Sequence, residues 1–190
     1  MKKVAALLMV VGIVFIGLGA YQLYSIKLAE KEALIEAQEL LARSYEDPQK
    51  DVIFKPDTGD SVGILHIEKI DAAIPIVEGT DPDELESGVG HMSQTAWPGE
   101  NDQILLSGHR DTVFRRLGEV EVGDIITIEL PYGTFDYVMT DSIIVSADDT
   151  SVIGSTAPNE ELVISTCYPF RYIGPAPDRY VIYAVPVDES

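Results

Sequence analysis

From Val4 to Tyr24 the chain reads VAALLMVVGIVFIGLGAYQLY, and no charged side chain follows until Lys27. Coiled as a helix, about 20 apolar residues match the hydrocarbon thickness of a bilayer while every backbone polar group is satisfied internally. This stretch confines the chain to one membrane-spanning helix plus whatever the remainder can build beside it. A cleavable signal peptide is the rival reading. Its apolar run would be shorter and would end at a small-residue cleavage site, whereas Tyr21 and Tyr24 stand where interfacial aromatics belong. Lys2 and Lys3 precede the span and the remainder is acidic. The positive-inside rule therefore predicts residues 1–3 in the cytoplasm, a transmembrane helix over 4–24 and an extracellular remainder, a type II topology at the cell membrane.

Beyond the span, Lys27 to Tyr45 (KLAEKEALIEAQELLARSY) is rich in strong helix formers before Asp47 and Pro48 stop it. Leu28, Leu34, Ile35 and Leu41 leave a partial apolar stripe that could pack on the domain, on a partner helix or at the membrane surface. The simplest reading is a spacer. Composition shifts toward Pro, Gly and Asp between Gln49 and Asp60, which makes 25–60 a helical stalk and linker and 61–190 the folded domain. That domain reads as short β-rich runs, VGILHI, AAIPIV, QILLSG, DIITIEL, TFDYVMTDSIIV, ELVIST and RYVIYAVPV, punctuated by Gly, Pro and Asp. An antiparallel barrel is their natural closure. Helical periodicity is confined to DELESG and a turn around Arg115 to Leu117.

With 13 Lys and Arg against 32 Asp and Glu, the net charge of −19 repels phosphate backbones and disfavours nucleic-acid binding. Solubility accounts for the acidity without a ligand. The single cysteine, Cys167, excludes an intramolecular disulfide and a Cys-x-x-Cys pair. The spacing of His66, His91 and His109 matches no zinc motif, and no cofactor is expected. Asp148-Asp149 and Glu160-Glu161 lack the oxygen-ligand spacing of a calcium loop and read as solvated loop charges.

Cys167 ends the apolar strand ELVISTC and is followed by Tyr168-Pro169, which cannot continue a central strand. Its thiol belongs at a barrel rim. If RYVIYAVPV pairs antiparallel with ELVISTC, Arg179 becomes its neighbour, and a guanidinium can stabilise a thiolate or the oxyanion formed when a thiolate attacks a carbonyl. Arg171 is a mid-loop rival. His109, in SGHRD at the end of QILLSG, can shuttle protons near neutrality. His66 alternates with Leu65 and Ile67 and faces solvent. His91 lies in the Gly- and Pro-rich loop ESGVGHMSQTAWPGEN, where it could hydrogen-bond the loop backbone or line a substrate groove.

The segments GHMSQTAWPGENDQILLSGHRDTVFRRL and VISTCYPFRYIGPAPDRYVIYAV together resemble the sortase signature of a Gly-His motif, a Thr-Cys strand end and a downstream Arg. Thr166 to Phe170 and Ala176 to Arg179 look most like class D sortases of Gram-positive bacteria. Two departures, Val163-Ile164 in place of a Thr-Leu pair and Asp102 after Asn101, keep strand or turn character. The resemblance implies an all-β, eight-stranded closed barrel and a transpeptidase that cleaves an LPxTG-like sorting signal of secreted surface proteins after its threonine. It further implies a thioacyl enzyme resolved by an amine of cell-wall peptidoglycan or lipid II. On that pattern Cys167 is the nucleophile, His109 the acid and base, and Arg179 the oxyanion holder, with Thr166 and His91 on the substrate-binding side. Two rivals are a tethered cysteine peptidase that passes the acyl group to water, and a silent barrel that only binds peptides around a buried Cys167.

Overall fold

The structure, a computed structural model, describes residues 2–46, 54–172 and 174–187. The expected helix stop at Asp47-Pro48 and the first part of the Gln49–Asp60 boundary lie outside the described residues, as do Met1 and residues 188–190.

The apolar span and the stalk form one continuous helix, α1, Lys2–Glu46. Its first half is long and apolar enough to cross a membrane, and none of that apolar window is buried among the described residues. The second half is not a bare spacer. Ala37 and Leu41, with Leu34 beside them, pack on Ile64 of the barrel wall, and the Tyr45 hydroxyl donates to Glu129 Oε1 at 3.0 Å. Of the stripe read from the sequence, Leu34 and Leu41 make this contact, while Leu28 and Ile35 stay exposed. The helix periodicity explains the choice, because 34, 37 and 41 fall on one face at i, i+3 and i+7.

Eight strands follow: β1 Ser61–Ile67, β2 Ala72–Glu78, β3 Val89–His91, β4 Gln103–Gly108, β5 Ile125–Leu130, β6 Gly133–Ser146, β7 Glu161–Tyr168 and β8 Asp178–Pro186. They close in the order β1-β2-β3-β4-β7-β8-β6-β5. The expected turn at DELESG, residues 83–88, is the short helix α2, Pro82–Ser87, and a 3-10 turn covers Leu117–Glu119, overlapping the expected turn at Arg115 to Leu117 at Leu117 alone. The barrel is not purely antiparallel, since β2 pairs with β3 and β4 with β7 in parallel. β3 is the strand the sequence reading placed in a loop; three residues with two glycines nearby give too short an alternation to register as a strand. Packing also begins before β1, where the Phe54 ring meets Trp97 edge-on at 5.0 Å.

Strand alternation sorts side chains into two clusters. Leu65, Ile67, Ile76, Ile104, Leu106, Ile126, Ile128, Leu162, Ile164 and Ile182 fill the barrel. The opposite face of β4, β7 and β8 carries a second cluster, Leu105, Val163 and Val181, packed by Met92, Ile143, Val145 and Val152. β6 serves both, because its register shifts between Met139 and Asp141. One extra residue flips the parity of everything after it, so Tyr137 and Met139 face inward while Ile143 and Val145 face out.

Truncating Leu41 to Ala should remove the main contact between α1 and the barrel. We expect a loss of about 2 kcal/mol, read as a lower denaturant midpoint with an unchanged slope for the chain in detergent, and a smaller effect for the exposed Ile35→Ala.

Candidate active site

The parity of the outer cluster leads along each strand to a polar end. On β4, Leu105 is followed on the same face by Ser107 and, one residue past the strand, by His109; on β7, Val163 is followed by Ser165 and Cys167; on β8, Val181 is preceded by Arg179. β4 and β7 are parallel, with Gly108 opposite Thr166, so His109 and Cys167 leave neighbouring strands at the same level. Adjacent strands lie about 4.8 Å apart. β7 and β8 are antiparallel with Cys167 directly opposite Arg179, which puts two side chains on one face with Cβ atoms about 5 Å apart. On the far side of Arg179 stands Val145 of β6. His109 is exposed, and Cys167 and Arg179 are half-buried. One Arg179 nitrogen, Nη1, donates to the Asp178 carbonyl at 3.0 Å. Arg171, the rival arginine, is exposed in the loop after β7 and is not paired across from Cys167.

Neither residue expected to touch substrate reaches this face. Thr166 is 3% exposed, points into the barrel by strand parity, and its Oγ1 donates to the Gly108 carbonyl at 2.7 Å. His91 is 1% exposed, with Nδ1 2.7 Å from Glu78 Oε2, Nε2 3.0 Å from the Ala96 carbonyl, and its ring stacked on Trp97 at 3.7 Å. Of the two roles its position allowed, the bond to the loop backbone is the one present. Both residues act on the ends of β3, β4 and β7 from within. Gly108 belongs to the same arrangement: a Cβ there would meet the Phe114 ring at 2.6 Å, and fully buried Phe114 folds the segment after His109 back onto the barrel.

Two loops flank the apolar cluster, β3–β4 bearing Met92 and β6–β7 bearing Val152, and three side chains tie them together. Asp102 accepts from the Thr156 and Ala157 amides at 2.6 and 3.1 Å and from Ser155 Oγ at 2.9 Å. These bonds, led by the Gln103 amide, hold its carboxyl below the usual aspartate range. Gln103 donates to the Val152 carbonyl at 3.1 Å and accepts from the Gly154 amide at 3.0 Å. Glu160 accepts from the Gly99 amide at 2.7 Å and from the Tyr137 hydroxyl at 2.7 Å, so it is not the solvated loop charge its sequence context suggested. Burial, with Glu160 as acceptor, pushes the Tyr137 hydroxyl well above the ordinary tyrosine range, and it stays a donor. Arg110, 7% exposed, donates to the carbonyls of Pro169, Tyr172 and Gly174 and so fixes the loop between β7 and β8. Sequence reasoning missed these braces because their partners, mostly backbone groups, are distant along the chain.

The arrangement offers a thiol, an imidazole and a guanidinium at one end of an apolar, loop-walled face. That set can form a covalent acyl intermediate on sulfur, move a proton and stabilise a developing oxyanion.

The model of the sortase domain matches residues 65–187. The chain is 47% identical to Sortase D of Bacillus subtilis over 194 aligned residues, 96% of this chain and 98% of that protein. It is 32% identical to Sortase SrtE1 of Streptomyces coelicolor over 61% of this chain and 38% of that one. Among solved structures, a Clostridium perfringens Sortase D5 transpeptidase superposes with a TM-score of 0.71 at 29% identity, covering 84% of this chain and 99% of that one. A lid mutant of Sortase A from Corynebacterium diphtheriae, at 23% identity and a TM-score of 0.65 over 86% and 96% of the two chains, bears on the fold alone.

Two substitutions test the braces. Thr166→Val should cost about 1 kcal/mol by leaving the Gly108 carbonyl without its hydroxyl partner, measured by denaturant unfolding. For Asp102 the sign follows from its depressed pKa: its contribution is present above the unfolded carboxyl's range and is lost as pH falls through the folded one. Asp102→Asn should therefore lower the Tm at neutral pH, and the gap to the parent should close as the pH is taken into the acid range.

Proposed function

The chain belongs to the sortase family of cysteine transpeptidases, and on that premise we propose that it cuts an LPxTG-like sorting signal after threonine and transfers the acyl part to a cell-wall amine. What supports this most directly is the cross-strand pair of Cys167 and Arg179, beside His109, at the end of the apolar outer face.

In this reading the apolar residues of the signal lie along the face of Leu105, Val163 and Val181, between the loops that carry Met92 and Val152. The Cys167 thiolate attacks the threonyl carbonyl, and the Arg179 guanidinium donates to the oxygen as it becomes an oxyanion. Collapse breaks the peptide C–N bond, His109 gives its proton to the departing amine, and a thioester remains on Sγ. An incoming amine then attacks the thioester carbonyl, His109 takes its proton, the C–S bond breaks and the new amide leaves. Thr166 and His91 keep the strand ends in place and touch no substrate.

The anchor gives this chemistry its address. Two lysines precede the span and acidic residues dominate after it, which supports residues 1–3 inside, 4–24 in the membrane and the barrel outside. A secreted protein arriving at the same membrane meets the enzyme at a raised effective concentration. The substrate partners are then sorting signals of secreted proteins, and the acceptor is an amine of peptidoglycan or lipid II.

A fluorogenic panel of LPxTG-like peptides, incubated with and without triglycine, measures cleavage and transfer together. We expect cleavage with an amine-linked product in the parent, none in Cys167→Ala or His109→Ala, and a fall of about 10²–10³ in kcat for Arg179→Ala. Arg179→Lys should recover little of this, because a point ammonium lacks the planar fork of donors. Free acid as the sole product with every amine would make the chain a peptidase; no turnover with an unreactive thiol would make it a binding module.

A further inference from the structure

The chemistry at Cys167 leaves a buried pair of ionisable side chains unused: Glu78 on β2 and His91 on β3, 6% and 1% exposed and register partners in the parallel ladder. The partners of the His91 ring fix where its hydrogens are. Nε2 lies 3.0 Å from the Ala96 carbonyl, which can only accept, so Nε2 carries a hydrogen. Thr95 agrees, because its hydroxyl donates to the Met92 carbonyl at 2.8 Å and takes the Leu105 amide at 3.1 Å, which leaves only a lone pair for Nε2 at 3.3 Å. Nδ1 lies 2.7 Å from Glu78 Oε2. Without a hydrogen between them, a buried carboxylate would face a bare imidazole lone pair. Neutral histidine has one ring hydrogen and this arrangement needs two, so the pair holds a further, shared proton and is neutral as a whole.

What the doubly bonded ring holds is the turn 92–96, with His91 at one end and the Ala96 carbonyl at the other. Inside it the Met92 amide donates to the Leu105 carbonyl at 3.0 Å, the Thr95 amide to the Met92 carbonyl at 2.8 Å, and the Ala96 amide to the Gln103 carbonyl at 2.8 Å. The turn is thereby laid along β4. Its first residue, Met92, packs on the outer cluster of Leu105, Val163 and Val181, the face assigned above to the donor peptide. Behind the ring stands Trp97, 8% exposed and stacked on His91 at 3.7 Å with 24° between the planes. Among the described residues, no side-chain bond of His91 or Glu78 reaches His109, Cys167 or Arg179.

We propose that His91 is a positioning residue for the donor peptide. Fastened to Glu78 through the shared proton, it closes the turn that sets Met92 against the outer face, and so governs donor binding without touching the donor or the reacting atoms. Its effect therefore belongs in KM and not in kcat. The inference rests on the reading that the apolar residues of the donor lie along that face.

The test measures kcat and KM for an LPxTG-like peptide at saturating triglycine, on the full chain in detergent. Glu78→Ala and His91→Phe should each raise KM roughly tenfold, the weight of one buried polar group left without its partner, while kcat holds. Glu78→Gln is the conservative control: its amide donates to the Nδ1 lone pair of a neutral imidazole, no extra proton is needed, and KM should stay near that of the parent. Met92→Ala should raise KM as well, and should add little in a chain that already carries Glu78→Ala, because both remove the same wall. Trp97, the sole tryptophan, reports on the turn, and its emission should shift to the red in Glu78→Ala but not in Glu78→Gln. A fall in kcat at constant KM would move His91 to the reacting end. A lower Tm with both constants unchanged would leave it a structural residue only, and full additivity with Met92→Ala would break the link to the donor face. Each of these overturns the proposal, and should His91→Phe not fold, the cycle of Glu78→Ala and Met92→Ala decides alone. Failure of the parent to turn over any such peptide would overturn instead the reading on which the proposal rests.

Discussion

β4 and β7 run side by side in the same direction, in register from Gln103 opposite Glu161 to Gly108 opposite Thr166. That pairing decides most of what the molecule can do at this end. Parallel neighbours keep step, so the residues one position past their last paired rung, His109 and Cys167, emerge side by side whatever the intervening 57 positions contain. An antiparallel pair would have sent one of them to the opposite rim. The next neighbour, β8, is antiparallel to β7 and starts where β7 ends, so Arg179 arrives at the same place from the other side. Thr166 fastens the last rung by bonding the Gly108 carbonyl from within the barrel.

The same sheet has two working faces. Inward residues build the barrel core, and outward residues build a smaller apolar cluster that ends at the reactive groups. The β6 register shift matters here because it turns Ile143 and Val145 outward at the level where the cluster needs a third wall. The loops over this face gain their positions from Asp102, Gln103 and Glu160, which bond backbone amides and carbonyls across the gap. α1 joins the wall on β1, four strands around the closed barrel from β7. α1 and the Cys167 end of β7 are thus on opposite sides of the barrel core.

Much of this was legible in the chain itself. The apolar span, the helix formers after it, the strand runs and the neighbourhood of Cys167 and Arg179 all follow from local pattern, because strand alternation and an antiparallel pair are short-range facts. What pattern did not reveal was longer in range. The parallel pairs join segments far apart in sequence, so periodicity gave no sign of them. Thr166 and His91 carry side chains suited to either face, and only the register shows that both turn inward. β3 is too short to alternate visibly. Glu160 looked like a solvated charge because its partners, the Gly99 amide and the Tyr137 hydroxyl, are 61 and 23 residues away.

The central claim is that Cys167 becomes covalently acylated, and intact-protein mass spectrometry after rapid mixing with an LPxTG-like peptide addresses it directly. The account predicts an adduct equal in mass to the peptide up to its threonine, on the tryptic fragment that contains Cys167, which disappears when an amine is added. Turnover that proceeds without any adduct on Cys167, or that survives Cys167→Ala, would contradict it.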